Sequence, residues 1–267
     1  MKRLFAICLL LFTFTVYQCS TVAVTGRKQL SLIPNSQILP LSANQYVEVL
    51  QSSTLSGNQE QRDMIVQVGK RIQKAVEVYF KNEGLSDQLK DYKWEYNLIE
   101  DNQVNAWAMP GGKVAFYTGI LPICQDEKGV AVVMGHEIAH AIANHGRERM
   151  SQGMVAQLGL SSLQAALGEN PTMTKNLLLQ ASGAATQLGV LAFSRNQESE
   201  ADKLGLIFMS MAGYDPNEAP KFWERMAKNS GGGAPPEFLS THPSHSTRIN
   251  DLNRSIPEAM KYFNKGR

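Results

Sequence analysis

A chain of 267 residues that is 43% hydrophobic and 19% charged has apolar material for one substantial core and the make-up of an ordinary soluble globular protein. Its 26 basic and 24 acidic residues are interspersed and leave a formal net charge of +2. That balance lacks the basic stripe of a nucleic-acid-binding surface, so no nucleic acid is expected among the partners.

Lys2 and Arg3 precede an uncharged apolar run from Leu4 to Val16, which ends near Cys19. This is the pattern of a signal peptide, and the run falls short of the roughly 20 residues that a helix needs to cross a bilayer. Residues 1–18 are therefore read as a signal peptide and no transmembrane span is expected. Of the three cysteines, Cys8 lies in the apolar run and Cys124 stands alone in the body, so no intramolecular disulfide is expected. Cys19, followed by the polar stretch Ser20 to Lys28, looks like the acceptor cysteine of a bacterial lipoprotein. The alternative is a free cysteine beside an ordinary secretion cleavage site. Residues 19–40 are read as a lipid tether and linker, and 41–267 as a single domain. The expected location is the cell envelope, as a periplasm-facing outer-membrane lipoprotein or a soluble periplasmic protein.

Along the body, Met64, Val68, Ile72, Ala75, Val76 and Tyr79 recur at three- and four-residue spacing, which predicts an amphipathic helix over Gln59 to Phe80. Trp94, Tyr96 and Leu98 alternate with Glu95 and Asn97, and Lys113 to Thr118 follows the breaker Pro110-Gly111-Gly112, which predicts strands and a turn. From Asp126, an N-cap with Glu127 in the first turn, the chain is expected to be mainly helical, with breaks near Gly168 to Pro171 and at Gly213 to Pro216. Ser230 to Pro236 is glycine- and proline-rich and predicts a mobile loop leading into Thr241-His242-Pro243.

The helix after Asp126 carries His136-Glu137-Ile138-Ala139-His140. Residues four apart share a helix face, so both imidazoles can address one ion while Glu137, one step round, reaches beside it. A catalytic zinc takes three protein ligands and keeps one position for water, whose proton a neighbouring carboxylate removes. One zinc per chain is expected, with Glu137 as the base. This short pattern also arises by chance, but here its surroundings are apolar: Val130, Val132, Val133, Met134, Ile138 and Ile142. Burying an unpartnered carboxylate among them costs on the order of several kcal/mol, which a bound cation offsets.

The third ligand must come from elsewhere. On a continuing helix His145 would lie about 140° from His140 and about 180° from His136, which excludes it from their ion. Ser194 to Asp202 offers Glu198 and Asp202, four apart on one face. Glu198 is the expected ligand, and Asp202 the expected acceptor of a ligand histidine's outer N–H. Glu200, the rival ligand, is followed four residues on by Leu204 and is expected to face solvent. His245 is expected to be plain surface.

Asn105 to Gly112, His136 to His140, Ser194-Arg195 to Ala201-Asp202, and Thr241-His242-Pro243 with Arg248 occur in this order between Val104 and Ile249. Together they resemble the HtpX-like and CAAX-prenyl-protease-like family of membrane-associated zinc metallopeptidases. The resemblance implies an α+β, mainly helical, compact zincin-type domain whose small sheet sets an edge strand beside the active-site helix, with Glu198 as the third zinc ligand. It implies that the strand bearing Asn105, Ala106, Trp107 and Ala108 lies along the cleft and pairs with an extended substrate backbone, a nearly sequence-blind mode. An ordinary core hairpin is the alternative role for that strand, and the two can coexist. Lacking hydrophobic hairpins, the chain is more similar to the short periplasmic LoiP-like lipoprotein branch.

His242 then has three roles open to it. It can donate a hydrogen bond to the oxyanion, swing onto the zinc as a fourth ligand that shuts the enzyme off, or merely cap its loop. The expected function is cleavage of internal peptide bonds in unfolded or misassembled envelope proteins, with Glu137 activating water and His242 assisting. The implied partners are those substrates, the membrane through a lipid on Cys19, and outer-membrane assembly factors. An assembly chaperone with a mostly latent site and a zinc aminopeptidase are the alternatives.

Overall fold

A computed structural model describes residues 19–158, 174–177, 193–229, 237–243 and 247–265. The signal-peptide segment, the break near Gly168 to Pro171, the loop Ser230 to Pro236 and His245 lie outside the described residues. The fold begins with an antiparallel hairpin of β1 (Cys19–Thr21) and β2 (Lys28–Leu30). Helices α1 (Asn35–Ser52) and α2 (Gln59–Asn82) come next, followed by strands β3 (Glu95–Ile99), β4 (Ala106–Met109) and β5 (Lys113–Tyr117). Among the described residues the helices that follow are α3 (Leu121–Cys124), α4 (Glu127–Ile142), α5 (His145–Leu158), α6 (Arg195–Met211), α7 (Glu218–Asn229), α8 (Glu237–Thr241) and α9 (Arg248–Lys265). This is the expected α+β, mainly helical class, and among the described residues no helix is long and apolar enough to cross a membrane.

The main sheet has the order β3-β5-β4, with β3 parallel and β4 antiparallel to β5. The β4–β5 turn needs Gly112, which sits at φ 84° and whose Cβ would stand 2.6 Å from the Trp94 ring. Helix α2 starts where the Asn58 side chain accepts the Gln61 N–H at 3.1 Å, and it buries Ile65, Val68, Ile72, Ala75, Val76 and Phe80. The expected stripe is thus present but turned slightly, since Ile65 and Phe80 are the buried members while Met64 and Tyr79 flank the core.

Helix α4 runs through the middle of the domain. Asp126 caps it, accepting the N–H groups of Lys128 and Gly129 at 2.8 and 3.2 Å, and every residue from Gly129 to Ile142 is buried. It has β4 along one side and crosses α6 on another, with α9 packed in turn on α6. The crossing depends on two glycines. A Cβ on Gly135 would lie 2.9 Å from the Gly205 carbonyl oxygen, and one on Gly205 would lie 2.9 Å from the His136 nitrogen. Both obstacles are backbone, which cannot turn aside as a side chain does. Gly135→Val is therefore expected to destabilise the domain by about 1–3 kcal/mol, and at this chain length to lower Tm by roughly 2–4 °C for each kcal/mol. Thermal denaturation checks this, and an unchanged Tm would mean that the two helices can part freely.

The expectation of a linker over residues 19–40 is corrected. Val22, Ile33 and Ile38 are buried, Ile33 and Ile38 against Met150 and Met154, and the β1–β2 hairpin lies on the domain. The polar appearance of Ser20 to Lys28 is misleading because Arg27 meets buried carboxylates of other elements. Polarity in this stretch marks pairing across the fold.

Candidate functional site

His136, Glu137 and His140 project from α4, and Glu198 and Asp202 from the first turns of α6. The start of α6 is held by a capping box: the Ser194 side chain accepts the Gln197 N–H at 3.3 Å, and the Gln197 side-chain oxygen accepts the Ser194 N–H at 3.0 Å. The glycine crossing brings these turns against α4, so that His140 Nε2 lies 3.2 Å from Glu198 Oε1 and 3.0 Å from His136 Nε2. His136 Nε2 is 3.5 Å from Glu198 Oε2. His242, at the end of α8, places Nδ1 3.1 Å from both His136 Nε2 and Glu198 Oε1.

These four residues offer donor atoms that all lie within 4.8 Å of one another, a set able to hold a metal ion. Zinc bonds of roughly 2.0–2.1 Å at tetrahedral angles put ligand atoms about 3.3–3.4 Å apart, which the separations above match. The charge states fit as well. Burial holds the His140 imidazole well below its ordinary pKa, in the neutral form that ligates. Burial opposes ionisation of Glu198, but His242 and Arg248 beside it outweigh that effect and hold the carboxyl well below the usual range. The residues therefore suit zinc.

Glu137 stands beside this set. Burial, and then the Glu198 carboxylate, push its pKa well above the ordinary value, although the Ala108 backbone N–H donates to it. Among the described residues its Oε1 has no hydrogen-bond partner, and neither has His242 Nε2, 3.4 Å away. A buried carboxyl whose ionised form is disfavoured and which keeps a free lone pair is suited to taking up a proton.

Asp202 Oδ1 lies 3.0 Å from His136 Nδ1, where it can fix that ring's tautomer. Arg248, fully buried, clamps both acids: Nη1 donates to Glu198 Oε2 and Nη2 to Asp202 Oδ1, each at 2.7 Å, and the guanidinium stacks on Trp223. Nothing in the sequence beyond its place in a motif assigned Arg248 a role. The Gly135–Gly205 contact has no signal in the sequence, whereas the Ser194–Gln197 box is recognisable from its spacing.

Two expectations need correction. Glu200 does not face solvent: it is 8% exposed and accepts hydrogen bonds from Thr25, Arg27 and His145. The expectation considered only its own helix, whereas its partners come from other elements. His145 is not on a continuation of α4. Asn144 at φ 58° breaks the helix, and His145 opens α5 with Nδ1 2.8 Å from His140 Nδ1. It is not among the four clustered donors but supports one of them.

Asn105, just before β4, and Ala106, Trp107 and Ala108 within it are all buried, and among the described residues β4 pairs only with β5, which makes it an edge strand beside α4. The Trp107 ring belongs to the core, edge-on to Tyr46, with its N–H directed to the Tyr117 hydroxyl. What faces the site is backbone: Ala108 N–H meets Glu137, while Asn105 Oδ1 accepts the Ala106 N–H at 2.9 Å. The site is closed from above by α8, where Phe238 stacks on His242 and its N–H donates to the Val104 carbonyl.

The sequence is similar to characterised proteins. It is 35% identical over 213 residues to the mitochondrial metalloendopeptidase OMA1 of Saccharomyces cerevisiae, covering 76% of this chain and 59% of the relative. The human OMA1 is 31% identical over 96% of this chain and 49% of its own length. The putative beta-barrel assembly-enhancing protease of Vibrio cholerae is 34% identical over 58% of this chain and 33% of its own. The chain thus spans about half the length of the first two relatives. Residues 67–256, which contain every site residue described above except those of the N-terminal hairpin, match Peptidase family M48. With that match across most of its length, and with a donor set able to hold zinc, the chain belongs to peptidase family M48.

Proposed function

We propose that this protein is a zinc-dependent endopeptidase of the bacterial cell envelope that acts on unfolded or misassembled envelope proteins, and that it rests in a latent form closed by His242. The observation that carries the reading is the four-donor set with Glu137 beside it: three donors and a base make a hydrolytic centre, and the fourth fills the position that a catalytic zinc leaves open. The LoiP-like resemblance, the signal-peptide pattern and Cys19 support export and tethering to the outer membrane. The name of the Vibrio cholerae relative, a beta-barrel assembly-enhancing protease, supports outer-membrane assembly as the setting.

Bound zinc supplies a Lewis acid that polarises the scissile carbonyl and acidifies water. His136, His140 and Glu198 would hold it, with Asp202 and Arg248 fixing the orientation of His136 and Glu198. Glu137 takes the proton of the attacking water and returns it to the leaving amine. The substrate lies along β4, and its backbone replaces Glu137 on the Ala108 N–H and Asn105 on the Ala106 N–H. For this to happen His242 and α8 must withdraw, because the ligand residues are at most 2% exposed.

His242→Ala is accordingly expected to cut unfolded casein faster than the parent, and chelation of zinc is expected to abolish both activities. An open form populated at roughly 0.1–10% implies a gain of about 10- to 1000-fold. A loss of activity would instead assign His242 to the oxyanion. The closed site also favours a second reading, an assembly chaperone: if neither protein cuts casein but the parent suppresses aggregation of a client, that function replaces the peptidase.

A further inference from the structure

The β1–β2 hairpin is connected to the metal centre by a continuous row of hydrogen bonds. His140 turns Nε2 toward Glu198 and His136, and its other nitrogen, Nδ1, lies 2.8 Å from His145 Nδ1. A histidine that offers its Nε2 lone pair to a metal carries its hydrogen on Nδ1. His145 must then accept at Nδ1 and carry its own hydrogen on Nε2, where Glu200 Oε2 receives it at 2.8 Å. Glu200 is held from the hairpin: the Thr25 hydroxyl donates to Oε1, and Arg27 Nε donates to Oε2 at 2.6 Å.

The rest of the same guanidinium forks onto Glu148 of α5, with Nη1 at 3.1 Å from Oε1 and Nη2 at 2.8 Å from Oε2. Gln197, next to Glu198, donates to that Glu148 Oε2 at 2.8 Å. One guanidinium thus fixes a carboxylate on α5, which follows the helix of His140, and another on α6, which carries Glu198. The two carboxylates are almost fully buried, at 8% and 7% side-chain exposure, while Arg27 reaches them from the surface at 27%. A lysine cannot reproduce this, being a point charge without a planar fork.

On the metal-site reading above, we propose that Thr25 and Arg27 are positioning residues for His140, and that the β1–β2 hairpin is a clasp through which the N-terminal segment sets the metal affinity of the centre. Since Cys19 lies in β1, the attachment point suggested by the sequence and the orientation of a zinc ligand meet in one hairpin.

The test is the zinc dissociation constant of the purified protein, measured by competition with a chromophoric chelator. Loss of groups that orient a metal ligand typically costs 10- to 100-fold in affinity, so His145→Ala is expected to fall in that range and Arg27→Ala near its lower end, about tenfold. Arg27→Lys is not expected to restore the parent value. Because the path from Arg27 to His140 runs through Glu200 and His145, removing Arg27 from the His145→Ala variant is expected to cost less affinity than removing it from the parent, the remainder being what Glu148 and Gln197 transmit toward Glu198. A purely structural hairpin predicts otherwise: Arg27→Ala would lower the Tm of the metal-free protein and leave zinc affinity unchanged, or its effect would add in full to that of His145→Ala. Either result overturns the proposal. Should Arg27→Ala fail to fold, Glu200→Gln, which keeps the shape, decides in the same assay: unchanged affinity rejects the clasp and a loss supports it. Zinc stoichiometry of the parent separates the two readings. A parent that binds no zinc defeats the metal site itself, whereas a parent that binds one zinc, lost in Glu198→Ala, with Arg27→Ala unaffected, defeats only the clasp.

Discussion

Glu137→Gln is expected to lower kcat/KM for an unfolded protein substrate by roughly 10²- to 10⁴-fold, the range that a positioned proton-transfer group contributes, while the protein still binds one zinc. The amide has the size of the carboxyl and can still accept from the Ala108 N–H, so neither α4 nor the four donors should move. What it cannot do is take up a proton. Because Glu137 lies beside the donor set and outside it, its loss should appear in kcat with little change in KM or metal content. Measuring both quantities on one preparation is decisive: retained turnover would remove Glu137 from the mechanism, and lost zinc would make it a ligand.

Arg248→Ala is expected to have the largest effect on stability. Arg248 is the cation between Glu198 and Asp202, fully buried and bonded to both at 2.7 Å. Removing one partner of a buried ionic pair leaves the other charge unpaired in a poor solvent, at a cost of about 3–5 kcal/mol. Here two carboxylates would be left facing each other, so the metal-free variant should unfold at clearly lower denaturant concentration than the parent. Zinc should recover part of the loss, since a bound cation replaces some of the missing charge beside Glu198. A denaturation midpoint that is unchanged without metal would show that Arg248 contributes little to holding the acids.

The amphipathic helix, the strand and hairpin signals and the described helices of the second half are readable because each depends on residues close in sequence. The cap at Asp126 and the break at Gly213 are of the same kind. His136 and His140 share a face because of helical periodicity, and so do Glu198 and Asp202. By contrast, the angular reckoning for His145 assumed that one helix continued, and Asn144 ends it. Glu200 reads as solvent-facing in the sequence because its partners Thr25 and Arg27 are remote in the chain. The same remoteness makes residues 19–40 read as a linker.

From its own residues the sequence determined the chemistry on offer: two imidazoles and a base on one buried helix, a pair of acids on another, and a histidine behind a glycine-rich stretch. Tertiary structure alone decided how these meet. The contact of Gly135 with Gly205 sets the distance between the two acid- and histidine-bearing turns, Arg248 neutralises the acids from a third helix, and α8 brings His242 into the donor set. The reason is physical: helical spacing is a local property of the backbone, whereas a buried charge is satisfied by whichever partner the fold brings within hydrogen-bonding distance.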